Sequence, residues 1–135
     1  MVLMVQKEVA QRICSKPPDM SLLAISVQFY AEPKIISYVS KNCFWPAPKV
    51  DSAIIKIVLR SSALISADFR DLFFKVVKAG FAHPRKQLVN NLSKMLKTDR
   101  KKINEWLLEN NIKPAQRAET LSINDWKNLA KTSFI

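Results

Sequence analysis

Apolar residues recur with different spacings along the first 60 residues and predict short strands and helices. The opening five residues are all apolar, which predicts a strand buried on both faces, as in parallel sheets. Two later segments have apolar residues at helical spacing, and two others are rich in β-branched and aromatic residues. The predicted elements are a strand at 1–5, helices at 7–14 and 22–31, and strands at 35–39 and 53–59. Prolines are expected to end both helices, at Pro17 and Pro33.

After residue 60 the pattern predicts helices only, so a domain boundary is expected near residues 60–66. The first of these helices has an apolar stripe at i, i+3, i+4, i+7 and i+8, typical of an amphipathic helix. Three further helices follow from capping residues and apolar spacing. The residues expected to cap or begin the four helices are Asp68, Pro84, Thr98 or Asp99, and Ser122 with Asp125 as a capping box.

A proline-rich segment between the two later strands is predicted to form a stiff loop. Pro46 and Pro48 force extended backbone there and exclude a helix. The loop carries two aromatic side chains, Phe44 and Trp45. Two interpretations are open: a hydrophobic plug between the strands, which composition alone favours, and a rigid edge that presents a ring to a nucleobase.

The composition excludes several kinds of site. The chain has 135 residues with one glycine, one histidine and two cysteines. Gly80 by itself cannot form the glycine-rich loop that cradles a phosphate or dinucleotide. Four Cys and His ligands for a structural zinc are not available, so no metal site is expected. We expect both cysteines to be reduced and buried, and, without a signal peptide or membrane segment, we expect a cytoplasmic protein.

Positive charge is concentrated in one stretch of the second half. The whole chain carries a formal net charge of +11, and residues 70–102 hold 10 Lys or Arg against 2 Asp or Glu. On a helix beginning near Pro84, one side would present Lys86, Asn90, Lys94 and Lys97. A solvated charged face is the plain alternative, but a patch of one sign with interspersed amides favours a nucleic-acid backbone as partner.

Four colinear segments resemble the C-terminal half of ribosomal RNA small-subunit adenine dimethyltransferases. They are MVLMVQKEVA at 1–10, FWPAPKVDS at 44–52, Phe81 with RKQLVNNL at 85–92, and RAETLS at 117–122. Any one of them would be weak evidence, whereas four in the same order make the resemblance specific. It covers nearly the whole chain.

The resemblance implies an α+β fragment. Residues 1–60 would be the terminal strands and helices of a Rossmann-like methyltransferase domain, and residues 61–135 a small all-α, rRNA-facing domain. Such enzymes use S-adenosylmethionine to dimethylate two adjacent adenines near the 3′ end of small-subunit rRNA, a step of ribosome biogenesis. The family's cofactor loop and Asn-Leu-Pro-Tyr motif precede the matched segments. This chain alone is therefore expected to bind no cofactor, to contain no catalytic residue and to be inactive.

The resemblance also implies roles for single residues. Phe44 matches the family aromatic that packs on the extruded adenine, which reverses the preference for a hydrophobic plug. Together with the charge pattern, it predicts rRNA contacts at Arg85, Lys86, Asn90, Lys94, Lys97 and Arg117. At His83 and Pro84 the sequence departs from the family's polar residue and arginine, which puts one phosphate contact in doubt.

Two other interpretations stay open. One is a stand-alone basic helical module that binds nucleic acid without enzymatic activity, and the other is a fragment of the related large-subunit rRNA adenine methyltransferases. The expected partners are small-subunit rRNA and the immature small ribosomal subunit, with no membrane. An open strand at 1–5 predicts either a homodimer through the strands of residues 1–60 or a mobile first part.

Overall fold

Residues 1–60 and 65–134 are described by the structure, a computed structural model. The elements in chain order are β1 (Val2–Gln6), α1 (Lys7–Ile13), α2 (Leu22–Tyr30), β2 (Ala31–Val39), β3 (Ser52–Leu59), α3 (Ala67–Gly80), α4 (Leu88–Met95), α5 (Arg100–Glu109) and α6 (Ile123–Lys131). Single 3-10 turns lie at Lys41–Cys43 and Ala118–Thr120. The described residues thus have the α+β composition expected from the sequence.

The described residues form two compact units. The first contains residues 1–15 and 23–60, and the second contains residues 16–22 and 65–134. The short segment 16–22 belongs to the second unit, where the Met20 N–H donates to the Glu119 carbonyl at 3.0 Å. The boundary expected near residues 60–66 falls partly outside the described residues.

A three-stranded antiparallel sheet with the order β1-β3-β2 forms the first unit, and α1 packs on it. On β3, Ala53 and Ile55 are fully buried whereas Lys56 is exposed, the alternation of a strand with one covered face. Ala53 and Ile55 form a core cluster with Ala10 and Ile13 of α1. The sheet therefore buries one face against the helix that follows its first strand.

Strand β1 corrects one expectation. Residues 2–6 do form a strand, but it pairs antiparallel with β3 and is not buried on both faces. Val5 packs against the core cluster, while Val2 and Met4 are 64% and 53% exposed. The prediction was wrong because a continuous apolar run indicates a strand without indicating its neighbours, and among the described residues β1 has a strand on one side only.

Helix α2 passes directly into β2, contrary to the expectation that Pro33 ends the helix and separates it from a strand at 35–39. Pro33 lies inside β2, opposite Ile57. A proline is tolerated there because β2 is an edge strand of the described sheet, where one row of N–H groups has no ladder partner. A register shift between Ile35 and Ser37 interrupts the pairing with β3.

The helix starts of the second unit agree with the sequence at two places. The Asp99 carboxylate accepts the N–H of Lys101 at 3.5 Å and caps α5. Ser122 and Asp125 form the predicted capping box of α6, with reciprocal bonds of 3.1 and 3.0 Å. These local signals identified the helix starts correctly because both partners of each bond lie within one turn.

Two other predicted starts were wrong. Ser66 rather than Asp68 caps α3, since its hydroxyl accepts the Phe69 N–H at 3.1 Å and Asp68 lies inside the first turn. Pro84 does not begin α4, which starts at Leu88. Residues 81–87 form turns instead, and the N–H of Leu88 bonds to the carbonyl of Gln116 at 2.7 Å, a partner far away in sequence.

Close packing of α3 against α6 depends on the one glycine of the chain. Gly80 is buried at the end of α3, and a Cβ there would overlap the Cη2 of Trp126 and lie 3.1 Å from Cδ1 of Leu88. Trp126 is fully buried in the core of the second unit. The large side chains buried with it are Phe73, Leu88, Leu92, Ile103, Leu107, Leu121 and Leu129. Gly80 therefore serves packing.

A buried amide holds the turn that follows α3. Asn91 is 1% exposed, and its Nδ2 donates to the carbonyls of Gly80 and His83, both at 2.9 Å. These carbonyls lie where the chain leaves α3, so the side chain replaces helical hydrogen bonds that the turn cannot make. Asn91 thereby fixes residues 81–87 against α4.

We expect Gly80→Ala to lower the melting temperature. Alanine gains about 1 kcal/mol in helix propensity, but overpacking against a rigid indole costs about 1–3 kcal/mol. Thermal unfolding followed by circular dichroism measures the balance. Lys78→Ala, at an exposed position of the same helix, is the control and should unfold near the wild-type temperature. A Gly80→Ala protein as stable as the control would contradict the packing role.

Asn91→Asp should destabilise the second unit because a carboxylate has no proton to donate to the Gly80 and His83 carbonyls. Leaving the buried Gly80 carbonyl unpaired and placing a charge beside it costs about 2–3 kcal/mol or more. Chemical denaturation measures this cost, and Asn128→Asp, at an exposed site on α6, provides the matched change of charge. Equal midpoints for the two variants would show that the amide does not hold the turn.

Candidate nucleic-acid interface

The carboxyl end of β1 and the loop at residues 40–51, which we call the Phe44 loop, lie at the same edge of the sheet. Gln6, the last residue of β1, is opposite Ser52, and Val39, the last residue of β2, is opposite the same Ser52. The loop leaves β2 and enters β3 at this edge. The register therefore places the end of β1, the end of β2 and both ends of the loop at one edge.

Asp51 anchors the loop at both ends. Its Oδ1 accepts the N–H of Lys41 at 2.8 Å, and its carbonyl accepts the N–H of Lys7 at 3.0 Å. Ser40 adds a local cap, because its hydroxyl accepts the N–H of Asn42 at 3.2 Å. The two bonds of Asp51 therefore join the start of the loop and the β1–α1 junction to the residue that precedes β3.

Two aromatic side chains sit differently in this loop. Phe44 is half-buried and follows the 3-10 turn, with its N–H 3.4 Å from the carbonyl of Lys41. Trp45 is 97% exposed. Phe44 is thus a partly exposed residue of an anchored loop. Sequence reasoning assigned no role to Trp45, although a tryptophan beside Phe44 in a proline-rich loop was a visible signal.

A cleft of about 240 Å³ opens beside this loop, and we call it the lysine cleft. Its lining residues are Gln6, Lys7, Glu8, Lys41, Lys49, Val50 and Asp51. The Nζ of Lys7 lies 5.5 Å from the ring centroid of Tyr38, a cation–π distance. Three ammonium groups against two carboxylates leave an excess of positive charge, which suits an anion such as an RNA phosphate.

The two cysteines are free, and the expectation that both are buried was wrong, since neither is fully buried. Cys14 is half-buried, and burial raises the pKa of its thiol. Cys43 is exposed because it ends the 3-10 turn at the surface of the loop, directly before Phe44. Cys43 is therefore the more accessible thiol and a natural chemical probe of the loop.

In the second unit, the turn at 81–87 presents Arg85 and Lys86 to solvent. The N–H of Lys86 donates to the carbonyl of His83 at 2.9 Å, and the Asn91 side-chain amide donates to the same carbonyl. The two basic side chains lie on a fixed turn, just before α4.

Backbone hydrogen bonds place the segment before Arg117 beside the start of α4. The carbonyls of Gln116 and Pro114 accept the N–H groups of Leu88 and Val89 at 2.7 and 3.3 Å. The segment before Arg117 therefore lies along the first turn of α4, next to the turn that carries Arg85 and Lys86. The Arg117 side chain is 54% exposed, with a nitrogen 4.0 Å from the Glu119 carboxylate.

The predicted single helical face of four residues was wrong in part. Asn90 and Lys94 lie on α4, four residues apart, but Lys86 precedes the helix and Lys97 follows it with a φ of 51°. The face breaks because α4 is only 8 residues long. Sequence reasoning also missed Arg100, whose guanidinium donates to the Asn90 Oδ1 at 2.6 Å and adds a cation beside this amide.

The described residues contain neither a metal-binding cluster nor a helix that could span a membrane. They contain no cluster of three or more His, Cys, Asp or Glu side chains that could hold a metal ion. None of their helices is both long and apolar enough to cross a membrane.

Comparison with known proteins gives consistent matches. The sequence model of the family described as ribosomal RNA adenine dimethylase matches residues 1–133. The ribosomal RNA small subunit methyltransferase A of Dehalococcoides mccartyi (strain CBDB1) is 46% identical over 129 residues, which cover 96% of this chain and 44% of the relative. The protein of the same name from Geobacillus kaustophilus is 42% identical over 135 residues, covering 96% and 46%.

Solved structures show the same fold. A dimethyladenosine transferase from Plasmodium falciparum matches with a TM-score of 0.76 at 24% identity, over 95% of this chain and 54% of that chain. The 23S rRNA methyltransferase ErmE matches with a TM-score of 0.74 at 20% identity, over 96% and 52%. The chain spans about half the length of the curated relatives it matches. The resemblance found in the four sequence segments is confirmed, and the chain belongs to the ribosomal RNA adenine dimethylase family.

Proposed function

We propose that this chain is the C-terminal part of an S-adenosylmethionine-dependent rRNA methyltransferase that dimethylates two adjacent adenines near the 3′ end of small-subunit rRNA. Family membership and the names of the relatives support this activity. In this proposal, residues 1–60 belong to a Rossmann-like methyltransferase domain and residues 61–135 form a small helical domain that faces rRNA. The two compact units support this division except at residues 16–22.

The residues of this chain do not fit the cofactor. Gly80 is the only glycine, and it is buried against Trp126 in α3. It therefore cannot supply the close backbone approach that a glycine-rich cofactor loop needs. We assign no part of S-adenosylmethionine binding, and no step of methyl transfer, to this chain.

The contribution of the chain is to hold the target base and the RNA backbone. The observation that carries the proposal is the accessible, half-buried Phe44 at the carboxyl edge of β1, beside the lysine cleft. An enzyme that modifies the amino group of an adenine must take the base out of its stack. The Phe44 ring then replaces part of the lost stacking, and nearby ammonium groups balance the phosphates.

The rRNA-facing surface of the proposal comprises Arg85, Lys86, Asn90, Lys94, Lys97 and Arg117. Its support is the fixed turn at 81–87, the backbone bonds that bring Arg117 to α4, and the absence of acidic residues between Asp71 and Asp99. The partner would be the immature small ribosomal subunit, which places the protein in ribosome biogenesis in the cytoplasm.

A homodimer through the strands of residues 1–60 is a separate hypothesis. Its support is β1, which has exposed apolar side chains and, among the described residues, no strand on its outer side. Unpaired edges of this kind are templates for pairing with another chain. A concentration-independent monomer mass in light scattering would exclude it.

Replacing Lys86, Lys94 and Lys97 together by Ala should weaken RNA binding in a salt-dependent way. Each lost phosphate contact removes about 0.7–0.9 from the slope of log K against log salt, so the slope should flatten by about 2–3 units. The control is the triple change of Lys34, Lys56 and Lys131 to Ala, which removes the same charge from exposed positions elsewhere. If both triple variants flatten the salt slope equally, the effect comes from the overall charge and not from these three lysines.

In the methyltransferase that contains this chain, Phe44→Ala should lower the methylation rate about 5- to 100-fold and change RNA affinity less than about twofold. Stacking of one base is worth about 1–3 kcal/mol and acts once the adenine has left its helix, whereas backbone contacts set affinity. Trp45→Ala is the matched control. If Trp45→Ala causes the loss and Phe44→Ala does not, the stacking residue is Trp45.

Alkylation of Cys43 gives a second readout of the same prediction. RNA with unpaired adenines should slow the reaction of the exposed Cys43 with iodoacetamide, while the half-buried Cys14 serves as internal reference. Unchanged labelling of Cys43 under saturating RNA would place the base away from this loop.

A further inference from the structure

A second cleft, which we call the Phe81 cleft, lies entirely within the second unit. Its volume is about 200 Å³, and its lining residues are Met20, Ser21, Leu22, Phe81, Pro84 and Glu119. None of these residues was singled out as a contact by the sequence, and none belongs to the Phe44 loop or the lysine cleft. Most of the lining is apolar side chain.

The walls of this cleft are built by long-range contacts. Met20 is 4% exposed, and its N–H donates to the Glu119 carbonyl at 3.0 Å, which fixes the segment 16–22 against the turn at 118–120. On the other wall, the ring of Phe81 packs on Trp126 with centroids 5.6 Å apart. The two hydrogen bonds of the Asn91 amide, to the Gly80 and His83 carbonyls, fix the turn that carries Pro84. The cleft is therefore a preformed feature of the fold.

Its rim is open, and two arginines lie close to lining residues along the chain. Leu22 is 37% exposed, and Pro84 is also exposed, so apolar surface faces water here. Arg85 directly follows Pro84 in the chain, and Arg117 lies two residues before Glu119. The Glu119 carboxylate, 4.0 Å from an Arg117 nitrogen, is the acidic group of the lining.

We propose that the Phe81 cleft binds one unpaired nucleobase of the RNA substrate, a second base site separate from Phe44. The apolar walls would take the faces of the base, Arg85 and Arg117 its flanking phosphates, and the Glu119 carboxylate an exocyclic amino group. A volume of about 200 Å³ lies below the range of about 300–1,000 Å³ typical of drug-sized ligands, and it suits a single base. This inference rests on the proposed rRNA-binding function and extends it.

The two neighbouring arginines favour RNA over other apolar occupants. A neutral lipid chain or an uncharged apolar peptide would gain nothing from two neighbouring guanidinium groups. A nucleotide combines an apolar ring with phosphates, and Arg is the side chain that best matches phosphate geometry. The predicted signature is a preference for RNA with unpaired bases over a duplex of equal charge.

The test compares two RNAs on the same protein. One is a hairpin with a loop of unpaired adenosines, and the other is its stem as a blunt duplex. Leu22→Ser should weaken hairpin binding about tenfold, the order expected for loss of one base contact, and change duplex binding less than about twofold. Because the substitution is neutral, the salt slope for both RNAs should stay unchanged.

Leu108→Ser is the matched control, since Leu108 is 59% exposed on α5 and does not line the cleft. A second measurement needs no variant: 4-thiouridine placed in the loop should crosslink to Phe81 on irradiation. Crosslinks found only outside the cleft, or equal loss of hairpin and duplex binding in Leu22→Ser, would overturn the base site.

The outcomes also separate this inference from the proposed function. If the wild-type protein binds neither RNA in a salt-dependent way, the proposed rRNA binding itself fails. If it binds both and Leu22→Ser matches Leu108→Ser, only the base site fails. If Leu22→Ser alters the molar mass measured by light scattering without altering hairpin binding, the cleft is a contact with a second copy and the proposal is wrong.

Discussion

The first unit depends on the position of β3 between β1 and β2. Both outer strands pair with β3, so all interstrand hydrogen bonds of the described sheet involve it. Its alternating side chains also supply Ala53 and Ile55 to the core that α1 covers. The same register sets the end of β1, the end of β2 and the start of β3 at one edge. The Phe44 loop lies at this edge because the pairing leaves it no other place to connect.

Asp51 fixes the position of the Phe44 loop at this edge. Its two acceptors join the loop to the β1–α1 junction, so Lys7, Lys41 and the residues after Phe44 are held together. A loop anchored in this way loses less entropy when it binds a ligand, because it is already ordered. In the proposed function, the aromatic ring takes the base of a nucleotide and the nearby ammonium groups take its phosphates.

In the second unit, buried groups position exposed ones. Gly80 allows α3 to approach Trp126, and Asn91 holds the carbonyls where α3 ends. The turn thus fixed carries Arg85 and Lys86, and the backbone bonds from Gln116 and Pro114 bring Arg117 alongside. The cationic groups proposed to meet RNA are exposed, but their spacing is decided by residues that solvent does not reach. Substitutions in this core would therefore move the proposed contact residues without replacing any of them.

The sequence by itself determined the local features of this protein. Helix and strand types, the Asp99 cap, the Ser122–Asp125 capping box, the stiff aromatic loop and the concentration of positive charge all depend on neighbours within a few residues. The order of four motifs was enough to identify the family.

Tertiary structure decided the features that depend on partners distant in sequence. Pro33 lies within a strand because β2 pairs with β3 at a sheet edge, which periodicity cannot report. Helix α4 begins at Leu88 rather than Pro84 because Gln116 supplies a carbonyl. One wall of the Phe81 cleft is held by the bond between Met20 and Glu119, which lies 99 positions later in the chain. Local propensity acts over about one turn of the chain. Hydrogen bonds and packing between segments far apart in sequence decide which local alternative forms, and these contacts exist only in the folded chain.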